Sequence, residues 1–339
     1  MNLFEYYELI RSKASEITCS SFLSCLSKPI KFIDLDKFSE DKVVQEYKNE
    51  LKIMLEKKDF GLTSRLINEF AQKMGEVHFY CLCLERDIVL NKIKESKKIS
   101  TPDFSFLDGE KEFYFEVKTP SVVGGDKGLE EDIETGFKVK HYLSEGQNRS
   151  AITELKPYGE MVEKYGHIRS SIKVLSEKIV QNYKSKQFLK KNTFLVVNLS
   201  MIHNLITEPE ELNPVYSLRK CRHIVVSGIF WMMAFRKVGM AVFGVPLKTH
   251  GFKHGIDGYC DDNGILINYE EIEGILLVTN PPEVKSEIWG LFRDKTLCSS
   301  SDDIKTLIKF TDYRYNDEIN SRGMCNDESN RDYSYNKKV

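Results

Sequence analysis

Apolar residues in the first quarter of the chain recur at intervals of three and four. Val43, Val44, Tyr47, Leu51 and Met54 have this spacing within residues 40–57 and predict a helix. The first sixty residues as a whole read as a polar, helical N-terminal part, closed by a turn at Asp59-Phe60-Gly61. A longer stripe of Leu66, Phe70, Met74, Val77, Cys81, Leu84 and Ile88 predicts a second helix of about six turns. Then the period changes. Residues 88–93 suggest a strand. Residues 103–107 and 112–118 suggest two more, joined by a turn at Asp108-Gly109 and ended by Pro120, which cannot donate to a ladder.

Residues 121–166 are Gly-rich, charged and without period, the pattern of a long loop or insertion. Helical spacing returns in Ile168, Ile172, Leu175, Ile179 and Tyr183. A continuous apolar run at 193–199 predicts a buried strand, followed by a helix at about 219–236 and strands at about 239–245 and 274–279. This alternation predicts an α/β fold with a mixed central sheet flanked by helices. The expected organisation is an N-terminal helical part over 1–60, an α/β domain over 61–300 and a polar tail over 301–339. Residues 316–339, poor in aliphatic side chains, are expected to be disordered.

Composition excludes little. A chain of 339 residues with 41% hydrophobic residues can bury a sizeable core, and a net charge of -2 neither favours nor opposes nucleic acid. The eight cysteines, Cys19, Cys25, Cys81, Cys83, Cys221, Cys260, Cys298 and Cys325, include no C-x-x-C pair. The N-terminus carries acidic residues where a signal peptide would be basic and then apolar. Together these suggest a cytoplasmic protein with reduced thiols. The longest apolar stretch, 224–235, is too short to span a bilayer and reads as a buried core helix, or, if not core, as part of a homodimer surface.

The chemistry concentrates in the second hairpin strand. Side chains alternate across a strand, so Glu112, Tyr114, Glu116 and Lys118 share one face and Phe113, Phe115 and Val117 the other. The apolar face packs on a helix. The polar face sets a carboxylate beside an ammonium, next to Asp103 on the preceding strand. Two carboxylates from paired strands can hold a hard cation such as Mg²⁺, and an adjacent lysine can orient a water or offset charge on a phosphate.

Pro102-Asp103, a hairpin, and then Glu116-Val117-Lys118 resemble the PD-(D/E)xK motif of the restriction-endonuclease-like nucleases. The order of elements over about residues 62 to 200 is similar to theirs. The resemblance implies a restriction-endonuclease-like core, with Asp103 and Glu116 as ligands of Mg²⁺ (Mn²⁺ as a substitute) and Lys118 serving the hydrolytic water. The family often adds an acidic residue from the helix before the hairpin. Glu69 and Glu76 both qualify, about 10 Å apart along that helix, so only one can reach the same metal. Glu76, which follows Gly75, is the preferred choice. The helix after the loop often adds a lysine or glutamine, for which Lys178 and Gln181 are the candidates. Ser171 lies two turns before Lys178 on a similar face.

Residues 164 to 191 carry a basic excess (Lys164, Arg169, Lys173, Lys178, Lys184, Lys186, Lys190 and Lys191) that suits a phosphate backbone. The expected activity is metal-dependent phosphodiester hydrolysis. DNA is preferred over RNA, and a restriction or defence role, alone or with a partner protein, is implied by analogy with the family.

Two other readings compete. One is a binding protein that keeps the fold without hydrolysis. The other is an ordinary α/β protein with an accidental motif, whose mark would be Lys118 paired with Glu116 on an exposed sheet face, with no cleft and no convergence with Asp103. The sequence contains its own control: Glu283-Val284-Lys285 repeats the tripeptide after Pro281-Pro282, a helix-start signal, with no PD nearby. His250 and His254 have zinc-pair spacing but sit among Pro246, Gly251 and Gly255, so they read as loop residues. Gly124 to Gly128 lacks the Gly-Lys-Ser/Thr end of a phosphate loop.

Overall fold

The structure is a computed structural model. It describes residues 2–15, 20–57, 60, 64–94, 100–120, 168–181, 183–202, 208–218, 221–244, 255–280, 285–293, 307 and 309–314. The candidate loop at 121–166, the pair His250 and His254, and residues 316–339 lie outside them.

Four helices come first: α1 (Leu3–Ser15), α2 (Ser20–Ile33), α3 (Lys42–Leu55) and α4 (Ser64–Leu84). Asp41 caps α3 by accepting from Val44 N at 2.9 Å, so the helix begins at Lys42, within the expected 40–57. Strands β1 (Asn91–Lys92), β2 (Phe104–Asp108) and β3 (Lys111–Lys118) follow, then α5 (Ile168–Val180) and β4 (Thr193–Asn198). The rest comprises β5 (Val215–Leu218), β6 (Cys221–Ser227), α6 (Ile229–Phe235), β7 (Ala241–Phe243), β8 (Ile256–Tyr259), α7 (Ile265–Asn268), β9 (Gly274–Thr279), β10 (Glu287–Phe292) and β11 (Tyr313–Arg314).

Seven strands form the central sheet in the order β1-β2-β3-β4-β9-β10-β11. It is mixed: β3, β4 and β9 run parallel, β10 and β11 are parallel to each other, and the remaining pairings are antiparallel. Alternation along the strands serves two apolar layers. Phe113, Phe115, Val117, Phe194, Val196, Leu276 and Val278 join α1–α4 in one core. Leu195, Val197, Ile275, Leu277, Trp289 and Leu291 join α5, α6 and α7 in the other. Because β4 and β9 are covered on both sides, their sequences Thr-Phe-Leu-Val-Val-Asn and Gly-Ile-Leu-Leu-Val-Thr are apolar runs rather than alternating ones.

Several expectations need correction. The helix expected at 219–236 is strand β6 followed by the short α6. The β-branched run Ile224-Val225-Val226 pairs with β5, and Gly228 forms the boundary. A Cβ at Gly228 would lie 2.1 Å from Asn213 O, so only glycine fits the corner. Ile229, Phe230, Met232, Met233 and Ala234 are core, which removes them from any dimer surface. The helix start expected at Pro281-Pro282 lies outside the described residues; Lys285 and Ser286 lead into β10. Nor is the chain beyond 300 all tail, since Leu307 and Phe310 are buried and β11 pairs with β10. Phe310 packs on Phe106 and Phe115 with ring centroids 5.4 and 5.1 Å apart. The hairpin loop is Gly109-Glu110, one residue later than read. Among loop residues only Gly109 has positive φ (+63°), the type II′ pattern. Among the described residues no helix is long and apolar enough to cross a membrane.

One contact fixes α4 against the sheet. A Cβ at Gly75 would lie 1.9 Å from Thr119 Oγ1, 3.2 Å from Thr119 Cβ and 3.4 Å from Asn198 Cβ. Helix and strand end therefore meet closer than any side chain allows. Gly75→Ala should lose about 1–3 kcal/mol by overpacking, although alanine is preferred over glycine in a helix by ~1 kcal/mol. Adding Thr119→Ala should restore most of the loss. Denaturant unfolding of the single and double variants checks this, and an unchanged single variant would refute it.

Candidate active site

Strand β2 pairs with β3 up to Phe104–Phe115, and Asp103 N then donates to Phe115 O at 3.0 Å. There the ladder stops, because Pro102 has no N–H to offer. Strand β3 runs on to Lys118, and its backbone beyond Phe115 needs other partners on that side. Side chains supply them. Asp103 Oδ2 accepts from Val117 N at 2.7 Å. Gln72, on α4, donates to Val117 O at 2.6 Å and accepts from Thr119 N at 3.0 Å. The Gln72 amide thus pairs with the strand as another strand would, tying α4 to it.

This parting of β2 from β3 opens a cleft of about 880 Å³. Asp103, Glu116, Lys118, Gln72, Glu76 and Gln187 line its inner part. Glu69, Lys57, Lys178, Gln181 and Lys184 also border it. All seven candidate residues therefore reach one cavity, but in different ways.

Glu76, 3% exposed, accepts from Tyr47 OH at 2.9 Å and Lys73 Nζ at 3.0 Å. Glu116, 2% exposed, receives Lys118 Nζ at 2.5 Å and Gln187 Nε2 at 2.6 Å, both on Oε1. Its Oε2 is buried with no hydrogen-bond partner among the described residues. Glu69 is 45% exposed and pairs with Lys57 at 4.0 Å and Arg65 at 3.8 Å, away from the other carboxylates. Of the two helix glutamates, Glu76 is the one beside Asp103 and Glu116. Lys178 Nζ donates to Gln181 Oε1 at 3.3 Å on the rim, with no contact to the carboxylates. Ser171 is buried and does not line the cleft.

Burial, followed by the charges of Glu76 and Glu116, raises the Asp103 carboxyl well above the usual range, against the opposing hydrogen bond from Val117 N. Burial likewise raises Glu116, against the charge and hydrogen bond of Lys118, with Glu76 adding to the rise. Asp103 and Glu116 thus share one poorly solvated place, where burial and neighbouring negative charge oppose ionisation. Among the described residues no three His, Cys, Asp or Glu side chains converge into a formed metal cage. Lys73 and Lys118 each hold one oxygen, of Glu76 and Glu116 respectively. The donor set still fits a hard divalent cation. It is all carboxylate, it carries more negative charge than its lysines comfortably offset, and it holds a bare buried oxygen at Glu116.

No family model, curated protein or solved structure matches the chain.

Four participants escaped the sequence reading. Tyr47 was counted as part of an apolar stripe, and its hydroxyl is invisible to periodicity. Gln72 and Lys73 precede Glu76 by four and three residues, a spacing that puts them on its side of α4 and could have drawn attention. Gln187 lies in a short 3₁₀ turn, Ser185–Phe188, and carries no signal at all. Of the described basic residues between 164 and 191, Lys178 and Lys184 border the cleft. Arg169 and Lys173 pair instead with Asp261, at 3.1 and 3.6 Å.

The raised carboxyls make stability depend on pH. The unfolded chain releases the Asp103 proton near its ordinary pKa of about 4, while the fold retains it to higher pH. Stability therefore falls as pH rises between the two values. Asp103→Asn carries no charge at any pH and keeps an acceptor for Val117 N. Without divalent cations it should melt above the wild type at pH 7–8, the gap closing towards pH 4. A lower melting temperature at pH 7.5 would overturn this account of the site.

Proposed function

We propose that the chain is a metal-dependent nuclease built on a restriction-endonuclease-like core, with its active centre at Asp103, Glu116 and Lys118, and Glu76 as the third carboxylate. The observation that carries the reading is Glu116. It is buried in a cleft, beside Asp103, with one oxygen doubly bound and the other bare. An accidental motif would leave the Lys118–Glu116 pair on an open sheet face, and this pair lines a cavity instead.

In this reading Asp103, Glu116 and Glu76 hold Mg²⁺ or Mn²⁺. The ion, when bound, supplies a Lewis acid for the phosphate and lowers the pKa of the attacking water. Lys118 sits between Glu116 and the open cleft, where its ammonium orients the water and offsets charge on the phosphate oxygens. The water oxygen gives up a proton to solvent as it bonds to phosphorus, the bond from phosphorus to the leaving sugar oxygen breaks, and that oxygen takes up a proton from solvent. Lys57, Lys73, Lys178 and Lys184 along the cleft suit a phosphate backbone. DNA is the proposed substrate, a restriction or defence role the proposed setting and the cytoplasm the proposed location. The first two rest on the resemblance and the third on the cysteine usage.

Purified protein with linear and circular duplex DNA, single-stranded DNA and RNA, in Mg²⁺, Mn²⁺ or EDTA, tests this. Cutting should require the metal. It should fall by about 10³-fold in Lys118→Met and Asp103→Asn, while Glu69→Gln should cut at close to the wild-type rate. Cutting in EDTA, or undiminished cutting by Asp103→Asn, would refute the assignment. RNA cut in preference to DNA would correct the substrate.

A further inference from the structure

We propose that Gln187 is a positioning residue of this centre, holding one oxygen of Glu116 so that the other is presented to the divalent cation. The inference rests on the cation-dependent reading above. Gln187 is 9% exposed and stands in the 3₁₀ turn between α5 and β4. Its neighbour Phe188 is buried and stacks on Tyr183 with ring centroids 5.2 Å apart, which anchors the turn.

The amide turns its nitrogen towards Glu116. Gln187 Nε2 lies 2.6 Å from Oε1, the arrangement that serves an ionised carboxylate, which accepts and does not donate. Lys118 donates to the same oxygen at 2.5 Å. A carboxylate is free to turn about its last bond, and two donors on one oxygen stop it with Oε2 as the unengaged atom. The two donors differ in kind. Lys118 ends a long flexible stem and brings a positive charge. Gln187 is short, buried and neutral, so it fixes the carboxylate without cancelling the charge a cation needs. An arginine or lysine there would compete with the ion. The Gln187 Oε1 is buried and itself without a partner among the described residues, which leaves an acceptor inside the cleft for a donor that enters. Neutral side chains that orient metal-binding carboxylates typically contribute 10–100-fold in affinity.

Manganese binding to the full chain, measured calorimetrically or by the electron-spin signal of free Mn²⁺ in the absence of nucleic acid, separates the possibilities. Gln187→Leu keeps the bulk and loses the hydrogen bond, and Gln187→Ala guards against a misfit of leucine. Melting in EDTA shows which variant is folded. The folded variant should bind Mn²⁺ about 10–100-fold more weakly than the wild type. Its cutting should fall at low Mn²⁺ and recover at saturating Mn²⁺. Wild-type uptake of Mn²⁺ with unchanged affinity in the folded variants overturns this inference and leaves the nuclease reading standing. A wild-type chain that takes up no Mn²⁺ overturns both.

Discussion

The arrangement depends on two backbone groups of Val117. Where β2 leaves β3 at Pro102, the N–H and C=O of Val117 lose the strand that would have satisfied them. A buried backbone group left unpaired costs about 1–3 kcal/mol, so something must take its place. Asp103 takes the N–H and Gln72 the C=O. Each replacement has a structural consequence. The first holds the Asp103 carboxylate in the inner part of the cleft. The second holds α4 against the strand, at the point where Gly75 meets Thr119 and Asn198 Nδ2 donates to Gly75 O at 3.3 Å. Glu76 follows in the next position and is carried to the same place. The acidic centre is thus assembled from the repair of a strand edge.

A comparison within the chain separates structural from chemical burial of charge. Glu211 is 1% exposed, and both its oxygens are used: Tyr216 OH donates to one at 2.6 Å and Ile229 N to the other at 2.7 Å. Its pKa is nevertheless pushed up to about 7 by burial. Arg236 is also buried, with two nitrogens on Asp262 and a third on Ser176 Oγ. These groups hold elements together, and their hydrogen bonds are made. Glu116 is as buried as Glu211, yet keeps one oxygen unbound. That imbalance costs stability with no gain in packing, and stability given up at one place is a mark of function.

The hairpin and its alternation were legible because period-2 patterning and a glycine turn are local properties. The choice between Glu76 and Glu69 was legible in outline, since the small residue before Glu76 marks a close helix–strand approach. The sheet beyond β9 was not. Strand β10 follows two prolines that read as a helix start, and β11 has two residues, too few for any period. Strand β6 was hidden in an apolar run, which suits a helix and a buried strand equally until its partner β5 is known. Tyr47, Gln72 and Gln187 were invisible for a different reason. Their roles are hydrogen bonds across 29, 45 and 71 residues of sequence, and no local pattern encodes a partner so distant.

This division follows from what each kind of residue does. The carboxylates and the lysine must have their own chemical identity, so they leave a motif. The residues that aim them need only a donor or acceptor at the right place, and many side chains from many elements could provide one. Supporting groups therefore vary with the local backbone and are found by asking where each buried polar atom sends its hydrogen bonds. Here that question leads from Glu116 to Gln187 on one side and from Val117 to Gln72 on the other. Two neutral glutamines from opposite layers of the fold brace one acidic strand end, and neither neutralises the charge it positions.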